Sequence, residues 1–263
     1  GSFVAHGRQR GALAPYSSPT GTGTPTLTLA PDSLLFPGET VFATLTTAIE
    51  TAAGLTLPAG YVWQFTGAVS ATSPGKLPEG VDVDLSAPTT PHALALGDVN
   101  GDGNLDLIAG NTGYTNRVYL GDGLANFAAG TAVSSDVKLT RAVVLGDLDG
   151  DGDVDAMTGN NGEVNRLYTN GGTGAFTGQD IGADIHNTLA LVLGDVDGDG
   201  DLDMIAGNTG EINRIYTNSS GVFTGADIGT DIQQTSSVVL GDVDGDGDLD
   251  LMVGNDGQTN TMY

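Results

Sequence analysis

Short apolar runs alternate with acidic, glycine-rich loops through the second two-thirds of the chain. The run Leu191–Leu193 precedes one such loop and the run Leu202–Ala206 follows it, and each has the length of a single strand. Glycine and asparagine bound these runs, and the apolar periodicity of a helix is absent throughout the sequence. With 42 glycines in the chain, long helices are unfavourable on propensity alone. The pattern therefore predicts an all-β protein.

The same pattern recurs four times in residues 92–263. The acidic loops open at Asp98, Asp147, Asp195 and Asp242, at spacings of 49, 48 and 47 residues. Each loop is followed by a turn signature of the form N-x-G-x-x-N and a strand that ends in tyrosine. The first three repeats add a strand that begins at Phe127, Phe176 or Phe223 and has a glycine two or three residues later. Four short strands in about 48 residues is the size of one propeller blade. The sequence therefore predicts four β-propeller-type blades.

Residues 1–69 lack this repeat and show another pattern. Apolar runs at Thr26–Leu29, Val41–Thr46 and Val62–Phe65 are separated by proline and glycine. Strand-length runs between such turns predict a small antiparallel β domain, which we interpret as a partial Ig-like sandwich.

The segment 70–91, rich in serine, proline and glycine, is predicted to be a linker. Within it, Gly75–Ser86 stands where a fourth strand stands relative to the next loop. The fourth repeat stops at Tyr263, after its third strand. We therefore expect Gly75–Ser86 to supply the outer strand of the last blade, an exchange that removes exposed sheet edges.

Each acidic loop has the form D-x-(D/N)-x-D-G-x-x-D, an arrangement suited to a hard cation. Ca²⁺ binds six to eight oxygens, and side chains at positions 1, 3 and 5 of such a loop turn toward one centre. Glycine at position 6 permits the sharp turn. We expect the carbonyl of position 7 and the aspartate of position 9 to complete the shell. The predicted metal ligands are Asp98, Asn100, Asp102, Asn104 and Asp106 in loop one (98–106), Asp147, Asp149, Asp151, Asp153 and Asp155 in loop two (147–155), Asp195, Asp197, Asp199, Asp201 and Asp203 in loop three (195–203), and Asp242, Asp244, Asp246, Asp248 and Asp250 in loop four (242–250).

About four calcium ions per chain are therefore predicted. Loop one offers three carboxylates at positions 1, 3, 5 and 9, whereas the other loops offer four, so loop one is predicted to bind most weakly. Simple Asp-Gly turns without metal would explain one loop, but four copies in register favour a metal site. Mg²⁺ is disfavoured because its small octahedral shell retains water.

An EF-hand shares the first six loop positions but requires glutamate at position 12 and flanking helices. Position 12 is Ala109, Thr158, Ala206 or Val253 in the four loops, and the flanks are predicted strands. The EF-hand interpretation is therefore rejected.

The net charge of −25 narrows the possible partners. Nucleic acid and anionic membrane surfaces require basic residues, so both are excluded as partners.

Residues 91–263 hold 27 acids and 5 bases, and 18 of those acids lie in the four loops. Because carboxylates at this density repel each other, a bound cation is expected. Millimolar calcium is found outside cells, so we expect a secreted or cell-surface protein. With no cysteine in the chain, disulfides and thiolate metal sites are excluded.

The loop motif on its 48-residue β period resembles the FG-GAP/VCBS repeats of calcium-binding β-propellers, which also form the heads of integrin α-chains. The resemblance covers roughly residues 76–263 and implies a propeller fold, calcium between the first two strands of each blade, and a role in adhesion or ligand binding. The segments Phe3–Gly11, Pro37–Val41 and Tyr61–Thr66 resemble bacterial Ig-like domains of surface-layer type.

No catalytic motif accompanies the loops, so we expect a protein that is not an enzyme. The histidines His6, His92 and His186 do not recur in the repeats. Asn111, Asn116, Arg117 and their counterparts either satisfy the turn backbone or form a ring of hydrogen-bond donors for a sugar or peptide.

Three function classes remain open. An extracellular module for adhesion, with a protein or glycan ligand on a surface, comes first. A self-assembling subunit of a surface layer or fibre is the second, and an accessory domain of a polysaccharide-degrading enzyme is the third.

Overall fold

The computed structural model describes residues 3–7, 11–12, 40–45, 61–66, 89–124 and 126–263, and all regular structure in these ranges is β. The strands form two sheets, one of four strands and one of nine. The all-β prediction is confirmed. Within the described ranges, no helix has the length and apolar character needed to cross a membrane.

The four-stranded sheet lies at the N-terminal end of the chain and is antiparallel in the order β2-β1-β3-β4. Its strands are β1 (Phe3–Gly7), β2 (Gly11–Ala12), β3 (Thr40–Leu45) and β4 (Tyr61–Thr66). The strands predicted at 41–46 and 62–65 are therefore confirmed, and the Ig-like assignment stays a prediction. The predicted strand at 26–29, the closing strand at 75–86 and all of the linker before residue 89 lie outside the described residues.

The nine-stranded sheet contains the four repeats, and its strands are neighbours in strict chain order from β5 to β13. The strands are β5 (Pro91–Gly97), β6 (Asp106–Tyr119), β7 (Thr131–Gly146), β8 (Asp155–Asn170), β9 (Phe176–Gly194), β10 (Asp203–Ser219), β11 (Val222–Gly241), β12 (Asp250–Asn255) and β13 (Thr261–Met262).

The longer strands that follow the acidic loops fold back on themselves at the N-x-G signature. In β6 the Asn111 side-chain amide donates to the Thr115 carbonyl at 2.8 Å, whereas an extended strand separates such residues by about 13 Å. The Gly121 N–H reaches the Asp106 carboxylate at 2.8 Å, which brings the two ends of β6 together. Asn160, Asn208 and Asn255 make the same bond four residues ahead. Each signature is thus the turn of a hairpin, as its sequence predicts.

Consecutive repeats share a strand. The first part of β7, residues 131–139, pairs with β6, and the remainder, residues 140–146, pairs with β8. β9 and β11 divide in the same way. The fourth strand of one repeat therefore runs into the first strand of the next, which joins the blades into one curled sheet.

The core lies largely between neighbouring repeats. A Cβ added to Gly146 would meet Leu193 and Leu202 of the next repeat within about 3 Å, and one added to Gly194 would meet Leu240 in the same way. The tyrosines that end the third strands are fully buried, as the repeat pattern predicts: Tyr119, Tyr168 and Tyr216. Because each repeat buries the apolar face of its neighbour, stability depends on repeats that are stacked in register.

Candidate functional site

The four acidic loops connect β5 to β6, β7 to β8, β9 to β10, and β11 to β12. Each leaves its first strand at a glycine and enters the second strand at the position-9 aspartate. In loop two, Gly150 and Gly152 adopt φ angles of 80° and 100°. A residue with a Cβ is strained in that region, so glycine at positions 4 and 6 is what lets the loop close.

Backbone N–H groups point inward and bind the loop carboxylates. Asp147 accepts from the Gly150 N–H at 2.8 Å through Oδ1 and from the Gly152 N–H at 3.2 Å through Oδ2. Asp149 and Asp151 each accept an N–H from two residues ahead. Loops three and four repeat these bonds. The side chains at positions 1, 3 and 5 are thereby held on the inside of the turn before any ion is considered.

Carboxylate oxygens converge in three of the loops. In each, one ligand atom per residue lies within 4.8 Å of the others, and the groups are Asp147, Asp149 and Asp155; Asp195, Asp197 and Asp199; and Asp242, Asp244 and Asp246. Three negative charges at such separations repel each other unless a cation joins them. A donor set made entirely of oxygen atoms fits Ca²⁺.

Loop one differs at position 3, where Asn100 replaces an aspartate. Its amide nitrogen donates to Asp102 at 3.1 Å, and Asp98 still accepts the N–H groups of Asp102 and Gly103. The loop keeps these backbone bonds with one fewer carboxylate among positions 1, 3, 5 and 9, which is consistent with the weaker binding predicted for it.

The position-9 aspartates of loops one, two and three connect each loop to the hairpin that follows. Asp203 is completely buried, and its Oδ2 accepts the Val196 N–H at 2.7 Å while its Oδ1 accepts the Asn218 N–H at 2.8 Å. Asp106 and Asp155 make the same pair of bonds. Only in loop two does the position-9 carboxylate join the convergent group. Metal ligation by this position stays a prediction in all four loops.

The position-7 residues turn their side chains toward a neighbouring turn in loops one, two and three. Asp201 accepts the Ser220 N–H at 2.8 Å, the Asp153 carboxylate lies against Gly172, and the Asn104 side chain lies against Gly123. Their predicted role is through the backbone carbonyl, which leaves these side chains free for such contacts. That role stays a prediction.

Burial opposes ionisation of several loop carboxylates. It raises the pKa of Asp155 and of Asp203 to about 7, although the backbone N–H groups that donate to each carboxylate favour the charged form. Burial also raises the pKa of Asp195 and Asp199 above the usual value. Without a bound cation, the negative charge of these buried carboxylates is therefore unfavourable at neutral pH.

Two asparagines outside the predicted motifs link the hairpins of the second and third repeats to the acidic loop of the same repeat and to that of the preceding repeat. The side chain of Asn170 donates to the carbonyls of Val99 and Val154 at 2.7 and 3.0 Å. Asn218 donates to Leu148 and Leu202 at 2.9 and 3.0 Å. Both follow a shared Tyr-Thr pair, a sequence signal that could have identified them.

Most of the turn residues considered as ligand donors make their contacts within the protein. Asn160 and Asn208 are fully buried and bind their own turns. Arg214 lies between Asp184 and Asp227 at 2.9 and 2.6 Å, and Arg166 pairs with Asp136 and Asp180 in the same way. These contacts favour the structural interpretation of the signature over a ring of donors for a sugar or peptide.

Comparison with known proteins identifies the repeats. A family model described as FG-GAP-like repeat matches residues 98–158, 147–206 and 195–253, which together make up more than half of the chain. No curated protein sequence matches the chain.

Two solved structures are similar at low sequence identity. One is BBS1N from a crystal structure of its complex with ARL6DN soaked with lead, at 9% identity and a TM-score of 0.47, covering 67% of this chain and 54% of that one. The other is the biofilm matrix protein Bap1 of V. cholerae, at 14% identity and a TM-score of 0.42, covering 96% of this chain and 34% of that one. The chain thus spans about half of the first and a third of the second.

Proposed function

Because the chain belongs to the family of FG-GAP-like repeat proteins, we propose that it is an extracellular module for adhesion or ligand binding whose repeats are stabilised by Ca²⁺. The ligand is a protein or glycan presented on a surface, and the module itself carries out no reaction. The observation that carries the proposal is the convergence of three carboxylates in loops two, three and four, each held on the inside of its turn by backbone N–H groups.

Calcium would resolve an electrostatic conflict in the repeats. Residues 91–263 carry a net charge of −22, and four Ca²⁺ ions would reduce it to −14. Each site adds about 2.7 kcal/mol to the free energy of unfolding when Ca²⁺ exceeds its Kd a hundredfold. Four sites would add on the order of 10 kcal/mol, comparable to the stability of a whole domain. Extracellular calcium concentrations suit such sites.

The hydrogen bonds of the loop aspartates and the ion pairs of the repeated arginines support a binding role. The loop aspartates that could imitate an acid/base pair accept hydrogen bonds from their own backbone, which fixes them around a common centre. The repeated arginines Arg166 and Arg214 are held between aspartates of neighbouring strands. A rigid, repeated β surface of this kind is suited to presenting contacts.

Thermal unfolding with and without a chelator tests the proposal. Millimolar Ca²⁺ should raise Tm by roughly 20–40 °C if all four loops fill, since 1 kcal/mol moves Tm by about 2–4 °C in a chain of this size. The variant Asp149→Asn should lose part of the rise, and Asp231→Asn, at an exposed acid outside the loops, should keep it. An identical Tm in Ca²⁺ and chelator would refute calcium stabilisation.

A second candidate function, self-assembly, is favoured by the exposed end of the array. Leu96 is 44% exposed, whereas its counterparts Leu145, Leu193 and Leu240 are 4%, 2% and 5% exposed. β5 is also an edge strand of the nine-stranded sheet, and apolar edges favour pairing with another edge. Light scattering in millimolar Ca²⁺ and binding to a glycan array distinguish the two candidate functions. Ordered polymers would support self-assembly, and monomers that bind the array would support adhesion. Turnover of a polysaccharide by the chain alone would instead indicate an enzymatic role.

A further inference from the structure

The N-terminal sheet contacts the repeats at two of the acidic loops. The Thr44 hydroxyl donates to Oδ2 of Asp195, the first residue of loop three, at 2.5 Å across 151 residues of sequence. The Val62 N–H donates to the carbonyl of Gly247, at position 6 of loop four, at 3.1 Å. Two strands far from the repeats in sequence thus touch the predicted calcium sites directly.

Both contacts come from the β3–β4 pair of the N-terminal sheet. Thr44 and Val62 are directly opposite each other in the β3–β4 ladder, so their side chains lie on the same side. Val41 and Ala43 point to the other side of β3, and all four residues are buried. Thr44 contacts loop three through its side chain, whereas Val62 contacts loop four through its backbone N–H at the outer strand of the described sheet. The β3–β4 pair therefore lies against loops three and four.

Thr44 adds a hydrogen bond to one aspartate in particular. Asp195 and its loop two counterpart Asp147 are both buried, while Asp242 at the same position of loop four is exposed, so the Thr44 bond and not burial alone marks loop three. Within loop three, Asp195 already accepts the N–H groups of Gly198 and Asp199 through Oδ1 and of Gly200 through Oδ2. The hydroxyl of Thr44 is an additional donor from outside the loop.

We propose that Thr44 is a positioning residue for the calcium site of loop three, and that calcium in this loop holds the N-terminal sheet against the repeats. This inference rests on the proposed calcium binding. Groups that hydrogen-bond to a metal ligand orient it, and their removal usually lowers metal affinity 10- to 100-fold. Linkage is reciprocal, so a sheet that strengthens calcium binding is itself docked more firmly when calcium is bound.

An NMR calcium titration of the full chain tests the affinity, because the position-6 glycine amides report each loop separately. The Gly200 amide reports loop three, and the Gly103, Gly152 and Gly247 amides report the other three. Thr44→Val should weaken the loop three transition at least tenfold and leave loops one and two unchanged. Thr44→Ser keeps the hydroxyl and should stay within about threefold of the wild type, and Thr40→Val controls for the same substitution on the same strand.

Hydrogen exchange provides a second readout. The Val62 amide should exchange at least tenfold more slowly in Ca²⁺ than in chelator, and Thr44→Val should remove that difference. If the wild type shows no calcium response at any glycine, the proposed function fails. If it responds at Gly200 but Thr44→Val shifts neither the loop three affinity nor the Val62 exchange, the docking inference alone is overturned. Should Thr44→Val not fold, the wild-type exchange comparison decides.

Discussion

The substitution Asp203→Asn should stabilise the protein in the absence of calcium and destabilise it in the presence of calcium. The buried Asp203 carboxyl has a pKa raised from 3.8 to about 7, and a shift of about three units corresponds to about 4 kcal/mol. The wild-type protein loses this amount from its free energy of unfolding as pH rises through the folded pKa, because ionisation then leaves a charge in a buried position. An amide is never charged but leaves one of the two backbone N–H groups unpaired, which costs about 1–3 kcal/mol.

In chelator at pH 8, Asp203→Asn should therefore be more stable than the wild type by roughly 1–3 kcal/mol. In millimolar Ca²⁺ the cation compensates the buried charge, so the variant should become the less stable protein. Urea unfolding monitored by circular dichroism measures both differences. Asp231→Asn removes one exposed charge and controls for the reduced net charge. A variant less stable than the wild type in chelator at pH 8 would refute the account of this carboxylate as a group held at an energetic cost.

Three further predictions follow from the same loops and hairpins. In chelator, wild-type stability should fall as pH rises from about 4 to about 7.5, because burial raises the pKa of Asp155 and Asp203 to about 7. In Ca²⁺, stability should rise over the same range, because protons cease to compete with the ion for the carboxylates. Thermal melts at stepped pH measure both trends, and equal slopes in the two buffers would contradict the reasoning. Asn100→Asp should raise the calcium affinity of loop one toward that of the others, read from the loop one glycine amide, and no change would refute the ranking by carboxylate number. Asn218→Ala leaves two buried carbonyls without their side-chain donor and should cost about 2–4 kcal/mol in urea unfolding, whereas Ser219→Ala at the exposed neighbour should cost under about 0.5 kcal/mol.

The repeat unit could be predicted from the sequence because its signals are local. Alternating apolar runs, the N-x-G turn and the glycines of each loop are decided by residues a few positions apart. The confirmed hairpin at Asn208, closed by a bond to Ile212, is an example. Fusion of the fourth strand with the next first strand was harder to foresee, because the polar stretch around Ala183–Asn187 has the composition of a loop. It becomes strand because β8 pairs with it.

The remaining features depend on contacts between distant residues. Asp203 is one of the predicted ligands, and the sequence pattern did not show that its carboxylate also accepts the N–H groups of Val196 and Asn218. The contact of Thr44 with Asp195 spans 151 residues and carries no motif. Contacts between residues of different elements could therefore be recognised only from the arrangement of the strands.

Calcium binding by the loops is the central claim, and equilibrium dialysis with radioactive Ca²⁺ tests it most directly. The full chain in millimolar Ca²⁺ should hold about four ions, and a variant with Asp244→Asn and Asp246→Asn should hold one fewer while Asp231→Asn holds the full number. A chain that retains less than one ion under these conditions would contradict the account.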